Sequence, residues 1–314
     1  MTAQVLAPRL RRASVRRGRW AAFITAWTVR RGVVVLIALA GLGVLLFPSA
    51  ATWSSDRAHA ATVGAYVGTV RSLPPQRIHE ALRAAHAYNR HLPGGPLQDP
   101  YAASGAGRQT ARGSEVDDYL RTLDVGPDGM LGVVAVPSIG LSLPIFHGTA
   151  AETLDRGVGH LYGTALPVGG AGTHSVLTGH SGIVGSTLFT NLHKVRLGDQ
   201  IAVTVLDQTL TYRVDDIRTV LPDETDSLAP APGKDYLTLV TCTPIGVNSH
   251  RLLVRGVRVP TSAAADARSV VAAGQPQAGF PWWALAGVGG ALLVLLATRP
   301  LGERRTPASA TAGG

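Results

Sequence analysis

The chain has 314 residues, enough for one large domain or two ordinary ones. With 46% hydrophobic and 16% charged residues it is too apolar for a disordered protein, and a lone cysteine excludes an internal disulfide or a Cys-rich zinc site. A net charge of +9 would point to nucleic acid if it were spread over a folded surface, but it is not. Residues 1–31 carry eight arginines and no acid, and residues 299–305 carry Arg299, Arg304 and Arg305 against Glu303. Without those ends, residues 32–298 sum to −1, so no nucleic-acid partner is expected. The basic charge is instead a topology signal.

Each basic end abuts a charge-free apolar run. Residues 1–31 read as a basic cytoplasmic tail and 32–48 as a transmembrane helix. A cleaved signal peptide is the competing reading, because Pro48-Ser49-Ala50-Ala51 offers small residues for cleavage. Residues 49–129 form an exterior segment. Within it, 53–92 read as helical, with Ile78, Leu82 and Ala85 at helical spacing and His59, His79, His86 and His91 expected to face solvent. The breaker cluster Pro93-Gly94-Gly95-Pro96 should end the helix. Residues 97–129 read as an irregular loop with a short helix at 114–122.

From 130 to 260 the texture is β. Strand runs are expected at 131–136, 141–146, 173–179, 200–206, 209–214, 236–242 and 251–259. Ile201, Val203 and Val205 alternate with polar neighbours, as do Leu210, Tyr212 and Val214, and Asp207-Gln208 is a candidate hairpin turn. At least seven short strands suggest a barrel or a sandwich. Residues 261–279 read as a linker, 280–298 as a second transmembrane helix edged by Trp282 and Trp283, and 299–314 as a cytoplasmic tail.

The cysteine, Cys242, ends an apolar β run in a segment expected outside the cell, where structural cysteines usually come in pairs. It is either a nucleophile or a buried inert thiol. A nucleophilic thiol needs a proton partner. His180 lies in a turn flanked by Gly179 and Gly182, just past a strand run, and His250 is its rival. Arg251, nine residues after Cys242, could steady an oxyanion if the two strands are neighbours.

These residues resemble a known family. TLVTC (238–242) resembles the TLxTC signature of sortases, the membrane-anchored cysteine transpeptidases of Gram-positive bacteria. VLTGH (176–180) is similar to their catalytic-His segment and NSHRLLVRG (248–256) to their catalytic-Arg strand, in the same chain order. LPIFHGT, GVGHLYGTALPVGG and CTPIGVNSHRLLVRG look most like class C, the pilin-polymerising members. The resemblance implies a mainly β fold, an eight-stranded barrel at 130–260 behind an N-terminal helical segment and lid. It implies catalytic roles for Cys242, His180 and Arg251, a lid motif at Asp99-Pro100-Tyr101 with Asp99 near Arg251 and Tyr101 near Cys242, and a substrate groove that could include Thr178 and Thr241. Tyr101 departs from the commoner Trp or Phe of that motif, and an ordinary Asp-Pro turn is the alternative.

The implied reaction cleaves an LPxTG-type sorting motif of a secreted protein between Thr and Gly. It passes through a thioacyl intermediate and ends on an amine, a pilin Lys or a peptidoglycan precursor. It needs no metal or organic cofactor, and Asp223, Glu224 and Asp226 read as a solvated loop rather than a calcium site. Three rivals stand beside it: a class E-type wall-anchoring sortase, an L,D-transpeptidase, and a non-enzymatic membrane-anchored β-domain scaffold. The L,D-transpeptidase fits poorly, because its signature places Ser-x-Gly before the cysteine.

Overall fold

The computed structural model describes residues 29–92, 97, 99, 101, 114–125, 129–260 and 279–299. The expected tail at 1–28, the breaker cluster 93–96, Pro100, the linker stretch 261–278 and the C-terminal tail from 300 lie outside the described residues. Two units emerge, one running from Ser49 to Phe280 and the other made of Met1–Pro48 with Pro281–Gly314.

The first element differs from expectation. Helix α1 runs Val29–Ser72 and carries Pro48 inside it rather than ending there. Proline removes one helical hydrogen bond without forbidding the helix on either side, and the unit boundary falls at this residue. Helix α2 (Pro75–Arg90) is separate. The 53–92 segment therefore breaks at Pro74-Pro75, where the residue before a proline is driven out of helical geometry. α2 buries Ile78, Leu82 and Ala85, as its spacing predicts. Helix α3 covers Ser114–Arg121.

Eight strands close into a barrel: β1 (Met130–Val136), β2 (Leu141–His147), β3 (Val158–His160), β4 (Thr173–Thr178), β5 (Gln200–Val205), β6 (Gln208–Val220), β7 (Asp235–Thr243) and β8 (His250–Val259). A short helix, α4 (Ala151–Arg156), precedes β3. The strand order is β1-β2-β3-β4-β7-β8-β6-β5, and β1 pairs with β5 to close the ring. Only β2–β3 and β4–β7 pair in parallel. Seven strands fall on the expected runs; β3, three residues long, is too short to show a period.

The β5–β6 turn is Leu206-Asp207, one residue earlier than expected, since Val205 pairs with Gln208. Leu206 takes a positive φ of 54° while its side chain stays 3% exposed in the core. The Tyr66 hydroxyl secures the turn: it accepts from Leu206 N–H at 2.8 Å and donates to the Leu131 carbonyl at 3.0 Å. Tyr66, with Val63 and Val70, presents the buried face of α1. His59 also lies on that helix and is only 6% exposed rather than solvent-facing, because α1 packs there against the barrel, leaving a small cavity lined by His59, Asp56, Ser142 and Thr187.

Among the described residues, α1 alone is long and apolar enough to cross a membrane, judged by length and composition. The second apolar run forms α5 (Trp282–Ala297), 16 residues long. At about 1.5 Å per residue that is roughly 24 Å, short of the roughly 30 Å hydrocarbon core.

Candidate active site

The parallel pairing of β4 with β7 builds the site. Thr178 sits opposite Val240, so both strands deliver their C-terminal ends to one rim of the barrel. His180 follows β4 by two residues, and Cys242 is the penultimate residue of β7. β8 then returns antiparallel, placing Arg251 directly across from Cys242. Side chains alternate along a strand, so His250, paired with Thr243, belongs to the other face. Its Nδ1 bonds the Ser249 hydroxyl at 2.8 Å. The register thus sets Cys242 beside Arg251 and leaves His250 on the other face, while the turn that follows β4 carries His180 to the same rim.

Close packing fixes the His180 turn. A Cβ at Gly179 would meet the Phe189 ring at 2.9 Å, and Gly182 adopts φ 71°. The Phe189 N–H donates to the His180 carbonyl at 2.9 Å, and Gly182 N–H donates to Thr190 Oγ1 at 3.0 Å. The imidazole is half-buried, and among the described residues its ring makes no hydrogen bond. Desolvation lowers its pKa, opposed by the charge of Asp155.

Asp99 and Tyr101 both reach this rim. Asp99 takes Arg251 in a bidentate pair, Nε to Oδ1 at 2.8 Å and Nη2 to Oδ2 at 2.6 Å. The two side chains are 10% and 9% exposed. Arg251 Nη1 donates to the carbonyls of Asn248 and His250, each at 3.0 Å. The Tyr101 ring lies 5.0 Å from the Arg251 guanidinium and 5.7 Å from the His180 ring. Its hydroxyl is shared between the carbonyls of Gly179 (2.6 Å), just past β4, and Val240 (3.2 Å), within β7. Leu97 packs with Tyr101 on a second apolar cluster that includes Leu161, Leu228 and Leu253.

Cys242 is 9% exposed under this cover. Burial pushes its thiol pKa up; the Arg251 charge pulls it down and Asp99 pushes it up again. With the imidazole shifted down and the thiol up, the covered site favours a neutral thiol and a neutral imidazole. Asp99 cancels the cation that would otherwise favour a thiolate.

Thr178 and Thr241, expected at a substrate groove, are not open to solvent. Thr178 is 0% exposed, and Thr241 is 2% exposed with its hydroxyl on the Gly179 carbonyl at 2.7 Å. Both sit where strands β4 and β7 are packed tightly against each other, so neither offers a surface in this covered state. Sequence reading missed Ser181, whose Oγ donates to the Cys242 carbonyl at 2.7 Å; its signal was adjacency to His180 in a Gly-rich turn.

Residues 134–259 match the family model described as Sortase domain. The chain is 32% identical over 117 residues to Sortase A of Streptococcus agalactiae serotype III (strain NEM316), covering 36% of this chain and 47% of that relative. It thus spans about half the length of that curated relative. Two solved structures are matched almost end to end. Sortase C-1 from Actinomyces oris is 49% identical, with a TM-score of 0.56, covering 60% of this chain and 100% of that one. The pilus-related sortase C of Group B Streptococcus is 40% identical, with a TM-score of 0.56, covering 63% and 97%. Identity at that level across the whole of a neighbour's length reflects shared descent rather than a recurring barrel shape, so the chain belongs to the sortase family.

Proposed function

We propose that this protein is a membrane-anchored cysteine transpeptidase of the class C, pilin-joining kind. The observation that carries the reading is the Asp99–Arg251 pair: the same guanidinium that faces Cys242 is held by a segment that also lays Tyr101 across the site. A rim that closes over its own nucleophile suits an enzyme that must protect a thioester from water.

The reaction begins when Asp99 and Tyr101 leave. Removing the carboxylate and admitting water lower the thiol pKa, and Arg251 then faces Cys242 without its counter-charge. The Cys242 thiol passes its proton to His180, and the thiolate so formed attacks the Thr carbonyl of an LPxTG-type motif. The Arg251 donors freed from Asp99 hold the oxyanion. The C–N bond to Gly breaks as His180 gives its proton to the leaving amine. An incoming amine, a pilin Lys, loses a proton to His180 and attacks the thioester. The new amide forms as the Cys242 thiolate departs.

α1 anchors the enzyme, with the arginine-rich tail 1–31 on the cytoplasmic side, and the apolar segment 280–298 returns the chain to the membrane. α5 reaches across only with its flanking residues or with local bilayer thinning. Tethering enzyme and substrates to one membrane raises their effective concentration. The test offers the full-length protein in detergent an LPxTG peptide with a pilin Lys or a peptidoglycan amine. Ligation to the pilin Lys is expected; use of the peptidoglycan amine alone would favour wall anchoring.

A further inference from the structure

We infer that Ser181 is a positioning residue that fixes His180 against Cys242. The inference rests on the transpeptidase reading of that pair. The β4–β7 ladder ends at Thr178–Val240, before either residue is reached. Three hydrogen bonds carry the pairing on. Gly179 N–H donates to the Val240 carbonyl at 3.1 Å. Thr241 Oγ1 donates to the Gly179 carbonyl at 2.7 Å. Ser181 Oγ donates to the Cys242 carbonyl at 2.7 Å. Residues 179 and 181, which bracket His180, are thereby each tied to the chain end that presents the thiol.

A side chain is needed for the last link because the backbone has turned away. The His180 carbonyl is taken by Phe189 N–H and the Gly182 N–H by Thr190, so the loop's backbone is committed to its own return segment. Among these three bonds, Ser181 supplies the one that reaches the nucleophile's own residue. The bland alternative is a turn hydrogen bond that only adds stability. The two differ in what they move: proton transfer is sensitive to sub-ångström placement, with about 10²-fold lost for a displacement near 1 Å, whereas one part-exposed hydrogen bond changes folding only slightly.

The experiment measures single-turnover acylation of the full-length protein in detergent by an LPxTG peptide, for wild type, Ser181→Ala, Ser181→Val and Ser181→Thr. The Val and Thr variants match in shape and differ in the hydroxyl. Expected is a roughly tenfold or larger fall in the acylation rate constant for Ala and Val, KM unchanged, and recovery in Thr, with all four melting together. Wild-type rates in both Ala and Val, or losses that merely track a lower melting temperature, would overturn the inference. A wild type that never acylates overturns the transpeptidase reading itself and is separated by that control.

Discussion

His160 and His180 lie at the ends of adjacent, antiparallel strands and are both held below the ordinary histidine pKa by burial, yet they are built differently. His160 is 0% exposed and fully bonded. Its Nε2–H donates to the Ala165 carbonyl at 2.8 Å, and its Nδ1 lies 3.0 Å from the Tyr119 hydroxyl, which accepts from Gly148 N–H at 2.9 Å. Tyr119 belongs to α3, so this imidazole pins the exterior helix to the barrel. His180 is half-buried, and its ring makes no hydrogen bond among the described residues. A fully satisfied ring holds structure; a ring with no hydrogen bond among the described residues, on the rim that also carries Cys242 and Arg251, suits the proton carrier proposed above.

The two imidazoles differ most in what their removal costs. Replacing the proposed general acid–base, His180→Asn, should lower transpeptidation by about 10³-fold and leave the melting temperature nearly unchanged. His160→Ala should do the reverse, lowering stability by about 3 kcal/mol through the cavity and the stranded partners while the folded fraction stays active. Denaturant melts beside initial rates check both.

Acid sharpens it. The folded-state pKa of His160 is about 4 against 6.5 for the free side chain. The unfolded chain therefore takes up a proton first. Stability is full above about pH 6.5 and is lost as pH falls toward 4, by about 3 kcal/mol from this residue. His147, also lowered by burial, adds in the same direction. The decline should flatten in His160→Ala. A smaller effect belongs to the cover: Asp99→Ala should make Cys242 alkylate roughly tenfold faster at pH 7, since losing that carboxylate lowers the thiol pKa.

Much of this was legible in sequence, and the gaps have physical causes. β-rich runs between turn residues located seven strands, two of them by clear alternation, and one unpaired cysteine at a strand end drew attention to this rim while leaving nucleophile and inert thiol both open. His180 and His250 could not be ranked from residues alone, because the choice depends on a two-residue period in a register set by distant pairing. The parallel β4–β7 contact, which brings His180 to Cys242, spans a long connection that leaves no local trace. His59 reads as an ordinary polar helix residue and is buried only because α1 lies against the barrel wall. The Leu206 turn was misread because a leucine in a left-handed conformation is held by a tyrosine 140 positions earlier.

The proposed reaction turns on Cys242 as the nucleophile of an acyl transfer. Intact mass spectrometry of the full-length protein, mixed with an LPxTG peptide and quenched in acid, tests it directly. A mass increase equal to the motif up to Thr, mapped to Cys242 and absent from Cys242→Ala, is predicted. An unmodified thiol after prolonged exposure to the peptide, with the Asp99→Ala cover variant equally unmodified, would contradict it.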